Sequence, residues 1–347
     1  MTVYGVIAAG GAGTRLWPRS RRATPKHLLA LGLTGKPLVR ETYERVRPLV
    51  DQVVVLTETA QVKKLREVLP ELHKGDFIVE PVARGTTSAY GLAALTLQER
   101  DPDAILACFP ADHVVTRPAA FRQAVRSAVK VARAADAIVL VGLEPEHPAT
   151  GLGYIKAGEH VRAAGVSAYR VERFVEKPDL ERARSYLAEG TYYWNLAMFT
   201  FRAAVLAQEL KAHAPAHHRG LRRVLRGETG AYAHLPTEAI DYAVMERTDR
   251  LLLVPARFGW IDVGAWPELT GVRRPDREGN LVEGPAVVLD SHNNLFLTGE
   301  RLVAAIGVED LVVVEGPDSL LICPRSRAQE VKRVVAELGR RGLSRYL

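Results

Sequence analysis

The residues best suited to chemistry near the start of the chain are closely spaced glycines followed by a threonine and an arginine. The segment reads Gly10-Gly11-Ala12-Gly13-Thr14-Arg15. Glycine tolerates positive φ angles and close approach of other backbone, so successive N–H groups in such a loop can face an anion. The planar guanidinium of Arg15 matches phosphate oxygens. The segment predicts a phosphate-binding loop, with a glycine turn that binds no ligand as the alternative.

Two common phosphate-binding loops do not fit this segment. A Walker loop ends in Gly-Lys-Ser/Thr, and no such sequence follows Gly13. A dinucleotide fingerprint needs a third glycine where Leu16 stands, and an acidic residue about 20 positions later. Residues 32–36 contain no acid. The loop therefore indicates another class of phosphate chemistry.

The elements that must position this loop alternate between short apolar runs and helical patterns. Continuous apolar runs are typical of parallel strands that are buried on both faces, so an α/β sheet with helices on both faces is expected. Ligands bind at the carboxyl ends of strands in such sheets, where Gly10, Glu80 and Asp112 fall. The predicted strands cover residues 3–9, 52–57, 76–80, 104–112 and 137–143, and the predicted helices cover residues 38–50, 59–69, 87–100 and 119–135.

The pattern changes at about residue 279. Brief apolar runs then recur at roughly eight to ten residues, separated by Gly, Asn, Asp and Pro, which predicts a small β-solenoid-like unit. The last stretch, residues 326–339, predicts an amphipathic helix in which Ser326 caps the N-terminus and Gln329 completes the cap. We therefore expect a catalytic domain over residues 1–278 and a small β-rich domain over residues 279–347.

Composition and charge restrict the remaining possibilities. The 347 residues carry a net charge of +7, but the basic residues form scattered pairs and no nucleic-acid-binding motif accompanies them. We therefore expect a small anionic ligand and no nucleic-acid partner. Two cysteines, Cys108 and Cys323, suggest buried free thiols rather than a disulfide framework. These free thiols lead us to expect a cytoplasmic location. No apolar run reaches about 18 residues, so we expect no transmembrane helix.

Further motifs follow the glycine loop one after another along almost the whole chain. They are Gly10–Pro18 with Thr24–Leu29, Val79–Leu95, Phe109–Val115, Gly151–Ile155, Phe174–Pro178, Tyr193–Asn195, Ile240–Glu246, Trp260–Trp266 and Gly307–Val314. These motifs, in this order, resemble those of the sugar nucleotidyltransferases, particularly the mannose-1-phosphate guanylyltransferases. Departures from the usual family pattern occur at His27, Leu28, Gly85, Ser88 and Leu196-Ala197, and none removes a charged group.

The resemblance implies a fold, a reaction and a cofactor. The fold is the nucleotidyltransferase fold, a mixed, mostly parallel Rossmann-like sheet flanked by helices. The reaction is direct attack of mannose 1-phosphate on the α-phosphorus of GTP, giving GDP-mannose and pyrophosphate with the help of Mg²⁺. The same chemistry with glucose 1-phosphate or another nucleotide stays open, and so does a catalytically silent homologue that binds sugar nucleotides. The longer bifunctional members carry an isomerase domain, and we expect this chain to end before one could begin.

The resemblance also implies roles for individual residues. Asp112 and Asp262 are expected to bind Mg²⁺, although each alone also suits a strand end or a turn. Arg15 and Lys26 should neutralise the triphosphate, and Lys177 should hold the sugar phosphate. The expected nucleotide-binding residues are Ala9, Gly10, Gly11, Gly13, Thr14, Arg15, Glu80, Arg84, Thr86 and Asp112, and the expected sugar-phosphate residues are Gly153, Tyr154, Glu176, Lys177 and Asn195.

The C-terminal β unit suggests self-association. Short-stranded units of this kind often present exposed strand edges, onto which another chain can dock. A homodimer formed through residues 279–347 is therefore a further expectation.

Overall fold

The computed structural model describes residues 1–11 and 13–347, so Ala12 of the glycine loop lies outside the described residues. The strands, numbered in chain order, are β1 (Val3–Ala9), β2 (Gln52–Glu58), β3 (Phe77–Glu80), β4 (Ile105–Pro110), β5 (His113–Val115), β6 (Ile138–Leu143), β7 (Gly153–Ala163), β8 (Val166–Val175), β9 (Tyr192–Arg202), β10 (Leu251–Ala256), β11 (Trp260–Asp262), β12 (Leu281–Glu283), β13 (Ala286–Leu289), β14 (Leu295–Leu297), β15 (Val303–Ile306), β16 (Leu311–Glu315) and β17 (Leu320–Pro324). The α-helices are α1 (Leu38–Val46), α2 (Val62–Val68), α3 (Gly85–Arg100), α4 (Pro118–Ala134), α5 (Leu180–Glu189), α6 (Ala203–His213), α7 (Pro215–Leu225) and α8 (Val331–Arg340).

The chain folds into two compact units, each built from separate stretches of sequence. The first unit comprises Met1–Gly10, Tyr43–Ala111 and Val115–Gly259. The second unit comprises Gly11–Thr42, Asp112–Val114 and Trp260–Leu347. The expected division of the chain at residue 279 stays a prediction. No helix in the described residues is long and apolar enough to cross a membrane.

A nine-stranded sheet forms the centre of the first unit. Its strand order is β3-β2-β1-β4-β9-β6-β10-β8-β7. The strands β1 to β4 pair in parallel and β6 pairs in parallel with β10, whereas β8 and β9 are antiparallel to their neighbours. The predicted mixed, mostly parallel sheet is therefore confirmed.

The apolar runs predicted as strands form this sheet because both of its faces are covered. In β2 the successive residues 53–56 are all at most 4% exposed, although neighbouring side chains point to opposite faces. The helices α3, α6 and α7 pack against one another, and α4 packs on β6, β9 and β10. The predicted helices form within a few residues of their expected bounds, with 3₁₀ turns completing α1 and α2.

The long hairpin of β7 and β8 departs from the expected alternation of strands and helices. These strands pair antiparallel over most of their length. The turn between them holds Ala164 and Gly165 at φ 50° and 77°, the two positive values that a tight hairpin turn requires. The hairpin is partly exposed and rich in charged residues, so it lacks the continuous apolar run by which buried strands are found.

The second unit contains a small stack of parallel strands, which confirms the predicted β-solenoid-like architecture. The strands β12, β14 and β16 pair in parallel, and β13 pairs in parallel with β15. The register aligns Leu281 with Leu295 and Leu295 with Val312, so apolar side chains repeat at the same place in the core. Buried Asn294 donates to Asn280 Oδ1 at 3.0 Å, which satisfies polar groups inside the stack. Antiparallel β17 follows β16 at one edge.

The predicted cap of the C-terminal helix is wrong. The α-helix α8 begins at Val331, after a 3₁₀ segment over Arg325–Glu330, and Glu330 rather than Ser326 is its N-cap. Gln329 does not complete a capping box, because its side chain is engaged elsewhere. Its amide accepts a hydrogen bond from Arg15 and donates one to Glu268.

Candidate active site

A lysine lies between two aspartates in the second unit. Lys26 opens a short 3₁₀ turn, Asp112 directly precedes β5, and Asp262 ends β11, the strand that pairs with β5. Lys26 Nζ lies 2.6 Å from Asp112 Oδ2 and 2.7 Å from Asp262 Oδ1. We call these three residues the Lys26 centre. Their convergence brings together three of the five residues expected to act in catalysis, although 236 positions separate Lys26 from Asp262.

The electrostatics of the Lys26 centre depend on burial and pairing. The side chain of Lys26 is 9% exposed, whereas those of Asp112 and Asp262 are 32% and 34% exposed. Burial opposes the charged form of Lys26, but the two carboxylates outweigh it and raise its pKa. Burial likewise opposes ionisation of Asp112, yet the nearby ammonium lowers its pKa. The centre is therefore a charged cluster whose carboxylates still reach solvent.

His27 adds no charge to this centre near neutral pH. The residue is 2% exposed, and burial lowers its pKa to about 4 against the opposing effect of Asp112. Its Nε2 atom has no hydrogen-bond partner among residues 1–11 and 13–347. The departure from the usual family residue at this position therefore leaves the charge of the cluster unchanged.

The glycine loop presents backbone at the end of β1. Ala9 is buried as the last residue of β1, whereas Gly10 and Gly11 are exposed. Gly13 has a φ of 56°, and a Cβ there would lie 2.6 Å from Lys26 Cβ, so only glycine fits this approach to the Lys26 centre. Thr14 then begins a 3₁₀ turn that carries exposed Arg15.

A second group of predicted residues lies together in the first unit. Lys177 Nζ contacts Glu176 Oε1. Partial burial opposes the charged form of Lys177, but the hydrogen bond and the charge of Glu176 outweigh it and raise the pKa of Lys177. A Cβ on Gly153 would lie 2.5 Å from Glu176 Oε2 and 3.2 Å from Asn195 Cβ. The glycine thus leaves room for both polar side chains. Tyr154 is fully buried and packs on Tyr186, so its expected sugar contact stays a prediction.

Two carboxylates that are not among the expected site residues complete this second group. Asp241 Oδ1 accepts a hydrogen bond from Asn195 Nδ2 at 3.0 Å, and Glu246 Oε1 accepts one from the backbone N–H of Glu176 at 3.0 Å. Burial and the neighbouring Glu176 raise the pKa of Asp241 to about 6. We call Glu176, Lys177, Asn195, Asp241 and Glu246 the acidic cluster. Both carboxylates lie in the motif Ile240–Glu246, which the family resemblance identifies without assigning it a role.

The residues expected to contact the base and ribose also lie in the first unit. Glu80 is buried at the end of β3 and accepts a hydrogen bond from the hydroxyl of Tyr232. Burial raises the pKa of Glu80 to about 7. Thr86 accepts a hydrogen bond from the N–H of Ile240 at 2.9 Å, and Arg84 donates to Thr237. Thr86 therefore also serves to hold the start of α3.

Comparisons with known proteins match this arrangement. Residues 4–278 match the family model of the nucleotidyl transferases, and residues 284–338 match that of the MannoseP isomerase/GMP-like beta-helix domain. The chain therefore belongs to the nucleotidyl transferase family. The resemblance in its motifs to mannose-1-phosphate guanylyltransferases is confirmed by individual relatives of that name.

Three relatives illustrate the similarity. The mannose-1-phosphate guanylyltransferase of Escherichia coli K12 is 38% identical, over 97% of this chain and 73% of the relative. The alginate biosynthesis protein AlgA of Pseudomonas aeruginosa is 39% identical, over 98% of this chain and 73% of the relative. A crystal structure described as a mannose-1-phosphate geranyltransferase from Thermus thermophilus superposes with a TM-score of 0.88 at 36% identity, covering 98% of this chain and 100% of that one.

Proposed function

We propose that this chain transfers GMP from GTP to mannose 1-phosphate, with GDP-mannose and pyrophosphate as products. The observation that carries the proposal is the Lys26 centre, in which three separate chain segments bring a cation and two carboxylates together. Such a centre suits a reaction in which several negative phosphate oxygens must meet. The relatives named mannose-1-phosphate guanylyltransferase favour GTP and mannose 1-phosphate as the substrates.

The two aspartates of the Lys26 centre fit a magnesium ion. Both carboxylates contact the same ammonium, so they are close enough to face one cation, and both are partly exposed. No group of three or more potential metal ligands occurs in the described residues, but Mg²⁺ needs only one or two carboxylates besides water and phosphate oxygens. Asp112 and Asp262 would hold the ion, which would neutralise charge on the phosphate oxygens.

The nucleotide is bound by the glycine loop and its neighbours in this proposal. The exposed backbone of Gly10 and Gly11 offers N–H groups to the triphosphate. Arg15 and Lys26 supply positive charge to the phosphate oxygens, including those of the departing pyrophosphate. The carboxylate of Glu80 can accept hydrogen bonds from the N1–H and the N2 amine of guanine. We assign the ribose to the segment of Arg84 and Thr86.

The acidic cluster binds the sugar phosphate in this proposal. Lys177, whose side chain is 58% exposed, contacts the phosphate. Glu176 accepts hydrogen bonds from sugar hydroxyls, and Asp241 holds the amide of Asn195 so that the amide orientation is fixed. The phosphate oxygen of the bound sugar then attacks the α-phosphorus of GTP, and the bond to pyrophosphate breaks. The chain needs to orient the two substrates and stabilise charge, and it forms no covalent intermediate.

Location and assembly are further parts of the proposal. Both cysteines are free thiols, which suits the cytoplasm. Val287, Leu289 and Ile306 on the paired strands β13 and β15 are 46%, 50% and 68% exposed. An apolar strand face of this kind favours a homodimer.

Pyrophosphate release with Mg²⁺ tests the proposed function directly. Each of four nucleoside triphosphates is combined with mannose 1-phosphate and with glucose 1-phosphate. Turnover confined to GTP and mannose 1-phosphate is the expected result. Turnover with another pair would retain the mechanism and overturn the substrates. A folded protein without turnover on any pair would overturn the proposal in favour of a silent sugar-nucleotide-binding homologue.

A further inference from the structure

The C-terminal part of the second unit holds the segment that follows the glycine loop. The indole N–H of Trp17 donates to the backbone carbonyl of Tyr346 at 2.8 Å, and the indole N–H of Trp266 donates to the carbonyl of Trp17 at 3.0 Å. Trp17 and Trp266 are 6% and 0% exposed, so these bonds are shielded from water. Trp17, two residues after Arg15, is therefore held through its backbone carbonyl by Trp266 and through its indole by the backbone of Tyr346.

The side chain of Arg15 is held by the same part of the second unit. Its Nη1 atom donates to Gln329 Oε1 at 2.8 Å. Its Nη2 atom lies 3.5 Å from the position that a Cβ on Gly264 would occupy. Gln329 Nε2 donates in turn to Glu268 Oε1 at 3.2 Å, and Glu268 Oε2 accepts from the N–H of Ala265 at 2.9 Å. A donor on one side and an acceptor on the other fix the orientation of the Gln329 amide.

We propose that Gln329 is a positioning residue that orients Arg15 toward phosphate without neutralising its charge. The inference rests on the proposed function of Arg15 as a ligand of the triphosphate. A neutral amide oxygen accepts one N–H of the guanidinium and leaves its full positive charge and its other donors available. A carboxylate at the same place would pair with Arg15 through two hydrogen bonds and compete with phosphate.

The path through Glu268 extends this role to the Lys26 centre. Glu268 holds the N–H of Ala265, which lies three residues after Asp262. Gln329 thus contacts, on one side, the arginine of the glycine loop and, on the other, the carboxylate that fixes the Asp262 loop. The C-terminal 3₁₀ segment Arg325–Glu330 thereby takes part in phosphate binding, a role that its sequence does not predict.

Two substitutions at Gln329 separate positioning from simple packing. Gln329→Leu removes both hydrogen bonds with little change in volume. Gln329→Glu retains the shape and the acceptor for Arg15, but it loses the donor to Glu268 and adds a negative charge. Binding of inorganic pyrophosphate, at constant Mg²⁺, is measured by calorimetry for each. We expect Leu to weaken binding about threefold to tenfold and Glu to weaken it more than Leu. Gln123, an exposed glutamine of α4, provides matched Leu and Glu controls that leave binding unchanged.

A packing role predicts the opposite order, because Glu is nearly isosteric with Gln. Pyrophosphate binding to Gln329→Glu that equals or exceeds binding to Gln329→Leu would overturn the proposal. A second test repeats Gln329→Leu in an Arg15→Ala background, where the loss of pyrophosphate binding should be smaller than in the wild-type background, because the contact between Gln329 and Arg15 is already absent. Additive losses would likewise reject it. Thermal melts verify that each variant folds, and if Gln329→Glu does not, the comparison of Gln329→Leu in the wild-type and Arg15→Ala backgrounds decides.

The outcome for Gln329 can be distinguished from the outcome for the proposed function. Pyrophosphate binding requires neither a particular base nor a particular sugar. Wild-type protein that binds pyrophosphate but turns over other substrates would change the proposed substrates and leave the role of Gln329 testable. Normal turnover of GTP with mannose 1-phosphate, combined with Gln329 variants that bind pyrophosphate as the wild type does, would reject only the positioning role.

Discussion

The Lys26 centre and the acidic cluster differ in how their charged side chains are paired and exposed. In the second unit one buried ammonium lies between two carboxylates, Asp112 and Asp262. In the first unit three carboxylates accompany Lys177, whose side chain is 58% exposed compared with 9% for Lys26. The first arrangement is held together by internal pairing, whereas the second keeps its cation available to solvent.

The pKa values show what this difference does to the protein. The ammonium of Lys26 outweighs burial and lowers the pKa of Asp112. Burial, reinforced by Glu176, raises the pKa of Asp241 to about 6. Ionisation of Asp112 therefore stabilises the folded state, and ionisation of Asp241 destabilises it. We infer that the Lys26 centre contributes to stability as well as to binding, while the acidic cluster carries a cost that serves sugar-phosphate binding.

The largest expected effect concerns Asp262. Asp262→Ala removes one of the two carboxylates proposed to hold Mg²⁺, so we expect turnover to fall by about 10³-fold. Steady-state pyrophosphate release measures the loss, and circular dichroism verifies the fold. Asp249→Asn, at an exposed position of the first unit, is the control and should behave as wild type. Near-normal turnover with unchanged dependence on Mg²⁺ would show that Asp262 is not a metal ligand.

The next largest expected effect concerns the acidic cluster. Lys177→Ala removes the exposed cation of the acidic cluster, so we expect the KM for mannose 1-phosphate to rise about 10-fold to 100-fold. The KM for GTP should change far less. Lys211→Ala, on the surface of α6, is the matched control. An equal rise in both KM values would contradict the assignment of Lys177 to the sugar phosphate.

The contrast between predicted and missed elements has a physical cause. The strands β1 and β2 were predictable because burial on both faces demands continuous apolar residues. The hairpin of β7 and β8 was missed because its half-exposed strands mix charged and apolar residues. The periodicity of a sequence reports the environment of an element, so only elements with a uniform environment stand out.

The candidate site divides in a similar way. The glycine loop and Asp112 could be selected from residue type and their place at strand ends. Asp262 and Lys177 can be identified only through the family resemblance, because spacing along a chain does not reveal which distant residues meet. Asp241 was missed because an aspartate in a helical turn usually lies on a solvated surface, whereas here it faces Asn195 and Glu176.

A comparison of two isosteric substitutions should give opposite dependences on pH. The pKa of Asp241 is raised, so the folded state binds the extra proton between about pH 4 and pH 6, and stability falls as the pH rises through that range. Asp241→Asn retains the acceptor for Asn195 and should therefore gain about 1–3 kcal/mol over the wild type at pH 7. This gain should vanish near pH 4.

For Asp112 we expect the opposite dependence of stability on pH. Its pKa is lowered, so its stabilising effect is complete above its ordinary range and is lost as the pH falls through the folded-state value. Asp112→Asn should therefore be less stable than the wild type at pH 7, and the difference should shrink in acid. Urea unfolding in EDTA from pH 3 to pH 8 measures both series. Two parallel pH profiles would remove the distinction between the regions.

The smallest expected effect concerns the competition between Lys26 and a metal ion for the same carboxylates. In the protein without nucleotide, a cation must displace the ammonium from Asp112 and Asp262 before it binds both. Lys26→Gln leaves the two carboxylates facing each other without a counter-charge, which costs stability and increases their attraction for a cation. We expect this variant to bind Mg²⁺ about tenfold more tightly than the wild type, as measured by calorimetry without nucleotide. Lys36→Gln, in an exposed part of the second unit, controls for the change in net charge. Equal affinities in Lys26→Gln and the wild type would mean that the ammonium does not occupy the place of the ion, and the proposed competition would be rejected.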